Sequence, residues 1–345
     1  MWNELDTPGS PPFSLLTSPY IPGSFFYFSI DTPLNLFELK TDGSFEQKSL
    51  HPNLTNLTRD PIILSDGRLF AYRGNVYTAS SPFNSWTELN WIGLSSIIAS
   101  QSRVITLSQT LLRGSALNNL NTWTFESDPF GDDPSAFTPS TSQGSMAHNG
   151  EAVYALSHDF SYRRVAYSPD NAVPFSVSLD MPGSSVGAGM IFDAALGRPL
   201  CMFSIPGSVI EFYTLNTDGT LDSNAFVPIR DVIGFSNFIV ESYSFGYCPT
   251  RGKVVAFFRG REESANDSPR WALFLASGDG FNTYDILLRK GYEPGPWTPG
   301  SLSSISQDGV FALRWTDSIV LTDLVDDAPA PKFWTSFIGT TEVTP

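Results

Sequence analysis

The sequence predicts an all-β fold built from many short strands, and three observations carry that expectation. Aromatic residues make up 14% of the 345 residues, with 27 Phe, 12 Tyr and 8 Trp. Charged residues make up only 16%, well below the roughly 25% of an average domain. Gly (27) and Pro (26) recur along the whole chain as turn formers. Pleated, half-buried surfaces joined by tight turns select this combination. Helical periodicity is almost absent, and "DAALG" (193–197) is at most a turn.

The strands are organised by a repeat. Four segments align without gaps: "ASSPFNSW" (79–86), "ALNNLNTW" (116–123), "SPDNAVPF" (168–175) and "SGDGFNTY" (277–284). Their first position is small: Ala79, Ala116, Ser168 and Ser277. Their third is Ser81, Asn118, Asp170 and Asp279, and their last is Trp86, Trp123, Phe175 and Tyr284. Each follows an apolar run, such as "WALFLA", and precedes an alternating one, such as "YDILL". The box is therefore a hairpin turn. Its Asp or Asn accepts backbone N–H bonds across the turn, and its aromatic packs beneath.

This box resembles the Asp-box of BNR-repeat propellers, Ser-x-Asp-x-Gly-x-Thr-Trp, a sialidase-like fold family. Segment 277–284 matches best, through Ser277, Asp279, Gly280, Thr283 and Tyr284. The other three are degenerate. In the family the hairpin lies away from the ligand-binding face, so the resemblance implies structural roles for these residues. It also implies a glycosidase as the sharpest enzyme reading. The sialidases of this family use an arginine triad, a Tyr–Glu pair, an Asp and a Phe/Tyr-Arg-Ile-Pro signature. Here "FSIP" (203–206) lacks the Arg, and the early units hold few arginines.

Weaker boxes stand at 40–45, 216–226 and 322–334. Taking Phe45, Phe226 and Trp334 as their aromatics gives spacings of 41, 37, 52, 51, 58 and 50 residues. Units of this length with four short strands are propeller blades. The expectation is a single ring of seven four-stranded blades, six being the alternative, over residues 23–340. Residues 1–22 form a closing extension, in which "PFSLL" (12–16) is expected to complete the first or the last blade, and 341–345 form a tail.

A ligand site is then expected opposite the boxes, on the loops between second and third strands. Two such loops are charged. "SHDFSYRR" carries His158, Tyr162 and Arg163, and "RGREESANDSPR" carries Arg259, Arg261 and Glu262. Trp315 lies in another such loop, "RWTDS" (314–318), and Tyr292 and Trp297 lie in the inter-blade connection 289–303. An Arg, Tyr and carboxylate cluster suits an anionic or hydroxylated ligand such as a sugar.

Composition narrows the function classes. A formal net charge of −15 repels nucleic-acid phosphates and anionic membranes. The start "MWNELDTPGSPP" has no basic or apolar leader region, and no apolar run is long enough to span a bilayer. Three His without paired spacing predict no metal site, although "TDGTLDSN" (217–224) offers weak calcium ligands. No phosphate or dinucleotide motif points to a cofactor. Cys201 and Cys248 read as buried small hydrophobes, with a disulfide as the other option. The expected function is a non-catalytic structural or binding propeller, a virion component of the phage tail or baseplate type. It would be found in virions, and in host cytoplasm during assembly, with cytoplasmic residence as the alternative. Its partners are other subunits and a surface glycan. A glycosidase or lectin-like module is the alternative.

Overall fold

The computed structural model describes residues 2–6, 12–17, 25–29, 35–39, 44–48, 50–54, 59–64, 66–73, 75–89, 91, 96–99, 102–108, 111–127, 146–149, 152–158, 163–168, 177–181, 187–205, 209–234, 238–248, 251–262, 270–292, 302–305, 311–315, 318–322 and 341–342. The first strand is β1 (Trp2–Asp6). A first sheet follows, with β2 (Pro12–Thr17), β3 (Phe25–Ser29), β4 (Leu36–Leu39) and β5 (Phe45–Lys48). The second holds β6 (Arg59–Ile63), β7 (Leu69–Arg73), β8 (Asn75–Ala79) and β9 (Trp86–Leu89). The third holds β10 (Ser96–Ala99), β11 (Arg103–Ser108), β12 (Leu111–Ala116) and β13 (Phe125–Ser127). The fourth holds β14 (Met146–His148), β15 (Val153–His158), β16 (Arg163–Ser168) and β17 (Val177–Met181).

The fifth sheet holds β18 (Gly187–Asp193), β19 (Arg198–Ile205), β20 (Val209–Leu215) and β21 (Leu221–Pro228). A short helix, α1 (Ile229–Ile233), leads on from it. The sixth holds β22 (Phe238–Cys248), β23 (Lys253–Glu262), β24 (Arg270–Ser277) and β25 (Asp285–Tyr292). The seventh joins β26 (Leu302–Ile305), β27 (Phe311–Trp315) and β28 (Ser318–Thr322) to β1 and to β29 (Thr341–Glu342). All pairings are antiparallel, and Trp2 lies opposite Thr322.

Burial explains the strand sequences. Middle strands are covered on both faces, so they read as continuous apolar runs. Val254, Val255, Ala256, Phe257 and Phe258 of β23 are all buried. Outer strands alternate, as in β21, where Ala225 and Val227 are buried on either side of exposed Phe226. The apolar clusters each bridge two sheets. Phe26 and Leu36 of the first pack with Leu69 and Tyr77 of the second. Phe70 and Leu89 of the second meet Val104 of the third. Tyr154 and Leu156 of the fourth meet Cys201 and Phe203 of the fifth. Leu200 and Phe212 of the fifth meet Ala256 and Leu273 of the sixth.

Contacts between sheets run through their first strands. They follow the order β2, β6, β10, β14, β18, β22 and β26, and β26 contacts β2 in turn. Face-to-face sheets around shared inner strands make a propeller-like arrangement. Residues 12–16, expected to complete the first or last blade, lie in β2 of the first sheet, and residues 2–6 pair with the chain's C-terminal part. Cys201 and Cys248 are free and buried, and burial pushes the Cys201 thiol far above its ordinary range.

Candidate functional site

The best-matching box is a hydrogen-bonded hairpin between β24 and β25. The Asp279 carboxylate accepts from Thr283 N at 3.0 Å and from Thr283 Oγ1 at 2.7 Å. Ser277 Oγ donates to Asp279 Oδ1 at 2.8 Å and accepts from Phe281 N at 2.9 Å. Burial pushes the Asp279 carboxyl up. The bonds from Thr283 and Ser277 outweigh that and hold it below the usual carboxylate value. A carboxylate so occupied, and kept ionised, is a turn element. Tyr284 packs against the apolar cluster below it, as Trp86 does in the second sheet.

The fifth position of the box carries a role that the sequence reading passed over. Phe281 and Phe83 both have left-handed backbones, with φ of 68° and 65°, which is rare for a bulky residue. Both rings are buried and reach the preceding sheet. Phe281 stacks on Phe212 at 3.9 Å, and Phe83 meets Phe26 edge-on at 5.1 Å. Leu120 is buried likewise among Phe70, Tyr72 and Leu89. The signal was present as an apolar residue at the fifth position of all four aligned segments, large in three of them.

Two expectations need correcting. Asn118 is exposed, and the hairpin at 117–124 is held instead by Ser115, whose single Oγ–H is shared between Asn119 O at 2.9 Å and Thr122 O at 2.8 Å. A buried hydroxyl at the strand end does here what Asp279 does from the turn. Phe226 is not a box aromatic. It is exposed in mid-strand, and the turn is Asn216–Thr220, with Gly219 at a φ of 84°. Trp123 packs on Trp91 at 4.3 Å, with Arg113 over its ring. Ser168 ends β16 opposite Val153, while Asp170 and Phe175 lie outside the described residues.

Those of the expected ligand residues that the structure describes sit at the other ends of these strands. His158 faces Arg163 in register across β15 and β16. Arg261 lies opposite Arg270, which lies opposite Tyr292, forming one row across the sixth sheet. Glu262 pairs with Phe238. Arg259 and Arg261 are half-buried. Trp315 lies opposite Ser318. Tyr162 and Trp297 fall outside the described residues. The register thus gathers Arg259, Arg261, Glu262 and Tyr292 at one end of one sheet. His158 and Arg163 belong to the fourth sheet, two sheets away.

No family model matches this sequence. No curated protein matches it either. Solved structures do resemble it. The Myceliophteria thermophila Cps50 (Swd1) β-propeller domain aligns with a TM-score of 0.59 at 10% identity, over 93% of this chain and 99% of that one. The extracellular domain of the putative one component system BT4673 from B. thetaiotaomicron gives 0.58 at 10% identity, over 93% of this chain but 40% of that one. Kuenenia stuttgartiensis hydrazine synthase gives 0.55 at 8% identity, over 76% of this chain and 75% of that one. The fold is a β-propeller.

On this propeller the turn carboxylates are committed to backbone. Asp193 Oδ1 accepts from Ala195 N at 3.0 Å and Leu196 N at 3.2 Å. Burial raises its carboxyl above the usual value, against the pull of those two bonds. Asp218 Oδ1 accepts from Thr220 N and Oγ1, at 2.9 and 2.6 Å. Asp222 pairs with Arg198, so the weak calcium motif has its acids occupied. Among the described residues no group of three or more His, Cys, Asp or Glu gathers to hold a metal. Nor is any described helix long and apolar enough to cross a membrane.

Proposed function

We propose that this chain is a non-catalytic β-propeller that serves as a rigid part of a larger assembly, of the virion tail or baseplate type. The carrying observation is at the rim. Among the described residues, the exposed large apolar side chains are Leu221, Phe226 and Ile286, and all three lie on the outermost strands of two adjacent sheets, β21 and β25. Phe226 is 55% exposed and Ile286 52%. Large apolar groups left exposed on outer strands offer a surface that other subunits can cover. Box hairpins that staple neighbouring sheets give the stiffness such a part requires. The aromatic, Ser/Thr/Asn-rich strands and low Lys content suit the virion setting.

The same reading takes the seven sheets as seven blades of one closed ring that spans residues 2–342. The contact of β26 with β2, and the pairing of β1 with β28, support closure. Receptor or glycan contact is assigned to His158, Arg163, Arg259, Arg261, Glu262, Tyr292 and Trp315 at the strand ends, and to Tyr162 and Trp297, which lie outside the described residues. The rim tests the proposal. A Phe226→Ser/Ile286→Ser chain should fold with an unchanged circular dichroism spectrum, yet fail to enter the particle when expressed in the source. Normal incorporation would overturn the rim assignment.

A further inference from the structure

A cavity of about 490 Å³ lies between the second and third sheets, on the box side. This volume is within the roughly 300–1,000 Å³ of small-ligand sites. Its walls are two box hairpins, 80–85 and 118–121, and Thr78, Thr87 and Leu89 of the second sheet also line it. The site is far from the loop-end residues named above, because hairpin and loop close opposite ends of the same strands.

Its chemistry is neutral and rich in amides. Asn84, Asn118, Asn119 and Asn121 line it, beside serines and threonines. No hydrogen bond within the described residues engages these four side-chain amides, and all four residues are exposed. Thr78 is only 6% exposed, and its Oγ1 has no hydrogen-bond partner. That hydroxyl is closed off from the cavity, so the exposed amides are the polar groups open to a ligand. The single charged lining residue is Arg68, already bound to Asp66 at 2.7 Å and to Leu117 O at 2.5 Å. Pro82, Leu89 and Leu120 supply apolar contact. No carboxylate lines the cavity.

We propose that this cavity is a binding site for a neutral oligosaccharide. Sugar hydroxyls donate and accept at once, which suits paired amide groups, and the apolar faces of a pyranose suit Pro82 and the leucines. A charged ligand would meet no free counter-charge. A glycosidase needs two carboxylates flanking the bond, so a sugar held here is bound and not cleaved. That last point rests on the non-catalytic reading; the site itself does not.

The test is isothermal titration of the full chain with maltotriose, cellotriose and chitotriose. At least one should bind saturably. Asn84→Ala/Asn119→Ala should weaken it by about tenfold or more, with an unchanged melting temperature because both residues are exposed. Thr78→Val, which removes a hydroxyl closed off from the cavity, should leave binding unchanged. If none of the three binds, or if binding survives the Asn variant, the proposal fails. Release of shorter sugars from a bound trisaccharide, lost in the Asn variant, would keep the site and sink the non-catalytic reading.

Discussion

Asp279 concentrates the local logic of the box in one side chain. Its carboxylate accepts from Thr283 and Ser277, and each charge-assisted bond of this kind holds the turn shut. Asp279→Ala should therefore lower stability by about 1–3 kcal/mol, read by urea unfolding. The pH dependence follows from the sign of the shift. The folded carboxyl ionises more easily than the ordinary aspartate, at 3.8, so its stabilisation is complete at neutral pH. It begins to fall as the pH drops to that value and is gone below the folded one. Asp279→Asn should flatten the acid limb of the unfolding curve in that window and leave the alkaline side unchanged. An acid limb identical to the wild type would show that Thr283 and Ser277 do not hold the ionised form.

Hairpins tie sheet to sheet. Gly280 has a φ of +72°, and an added Cβ would stand 2.3 Å from Thr214 Oγ1 in the preceding sheet. Tyr154 of the fourth sheet likewise donates to Thr217 O in the turn of the fifth, at 2.9 Å. Gly280→Ala should cost roughly 1–3 kcal/mol through clash and backbone strain. Adding Thr214→Ala should recover part of the loss, a coupling that a double-mutant cycle measures. Additive losses would mean that the two sheets do not meet there. Phe281→Ala should cost about 3–5 kcal/mol, and hydrogen exchange should speed up in both 209–228 and 270–292 rather than in one sheet alone. The box was legible because its first, third and last positions recur in sequence. The wedge at position five was harder to see, since Phe83, Leu120 and Phe281 look like any apolar residue until the neighbouring sheet is present. Ser115 escaped notice because it lies before the aligned segment.

Over the whole chain, the order of four strands per unit could be read from runs such as "RPLCMFSI" and "KVVAFFRG", whose middle-strand burial leaves unbroken apolar sequence. The strand at 2–6 could not. Its partner lies at the far end of the chain, and no turn residue marks a pairing of such separation. The candidate site was less legible still. Register sets Arg261, Arg270 and Tyr292 in a row, but sequence says nothing of where neighbouring sheets point their loops. If β1 completes the seventh sheet, removing residues 1–6 should uncover the edge of β28 and cause self-association, visible by light scattering. A chain that stays monomeric and equally stable would contradict closure. Function at this scale turns on one measurement, the native mass of the protein from its source beside that of the recombinant chain. The account predicts a recombinant monomer near 37.8 kDa and a source form held in a very large particle at fixed stoichiometry. A free monomer in both would contradict it.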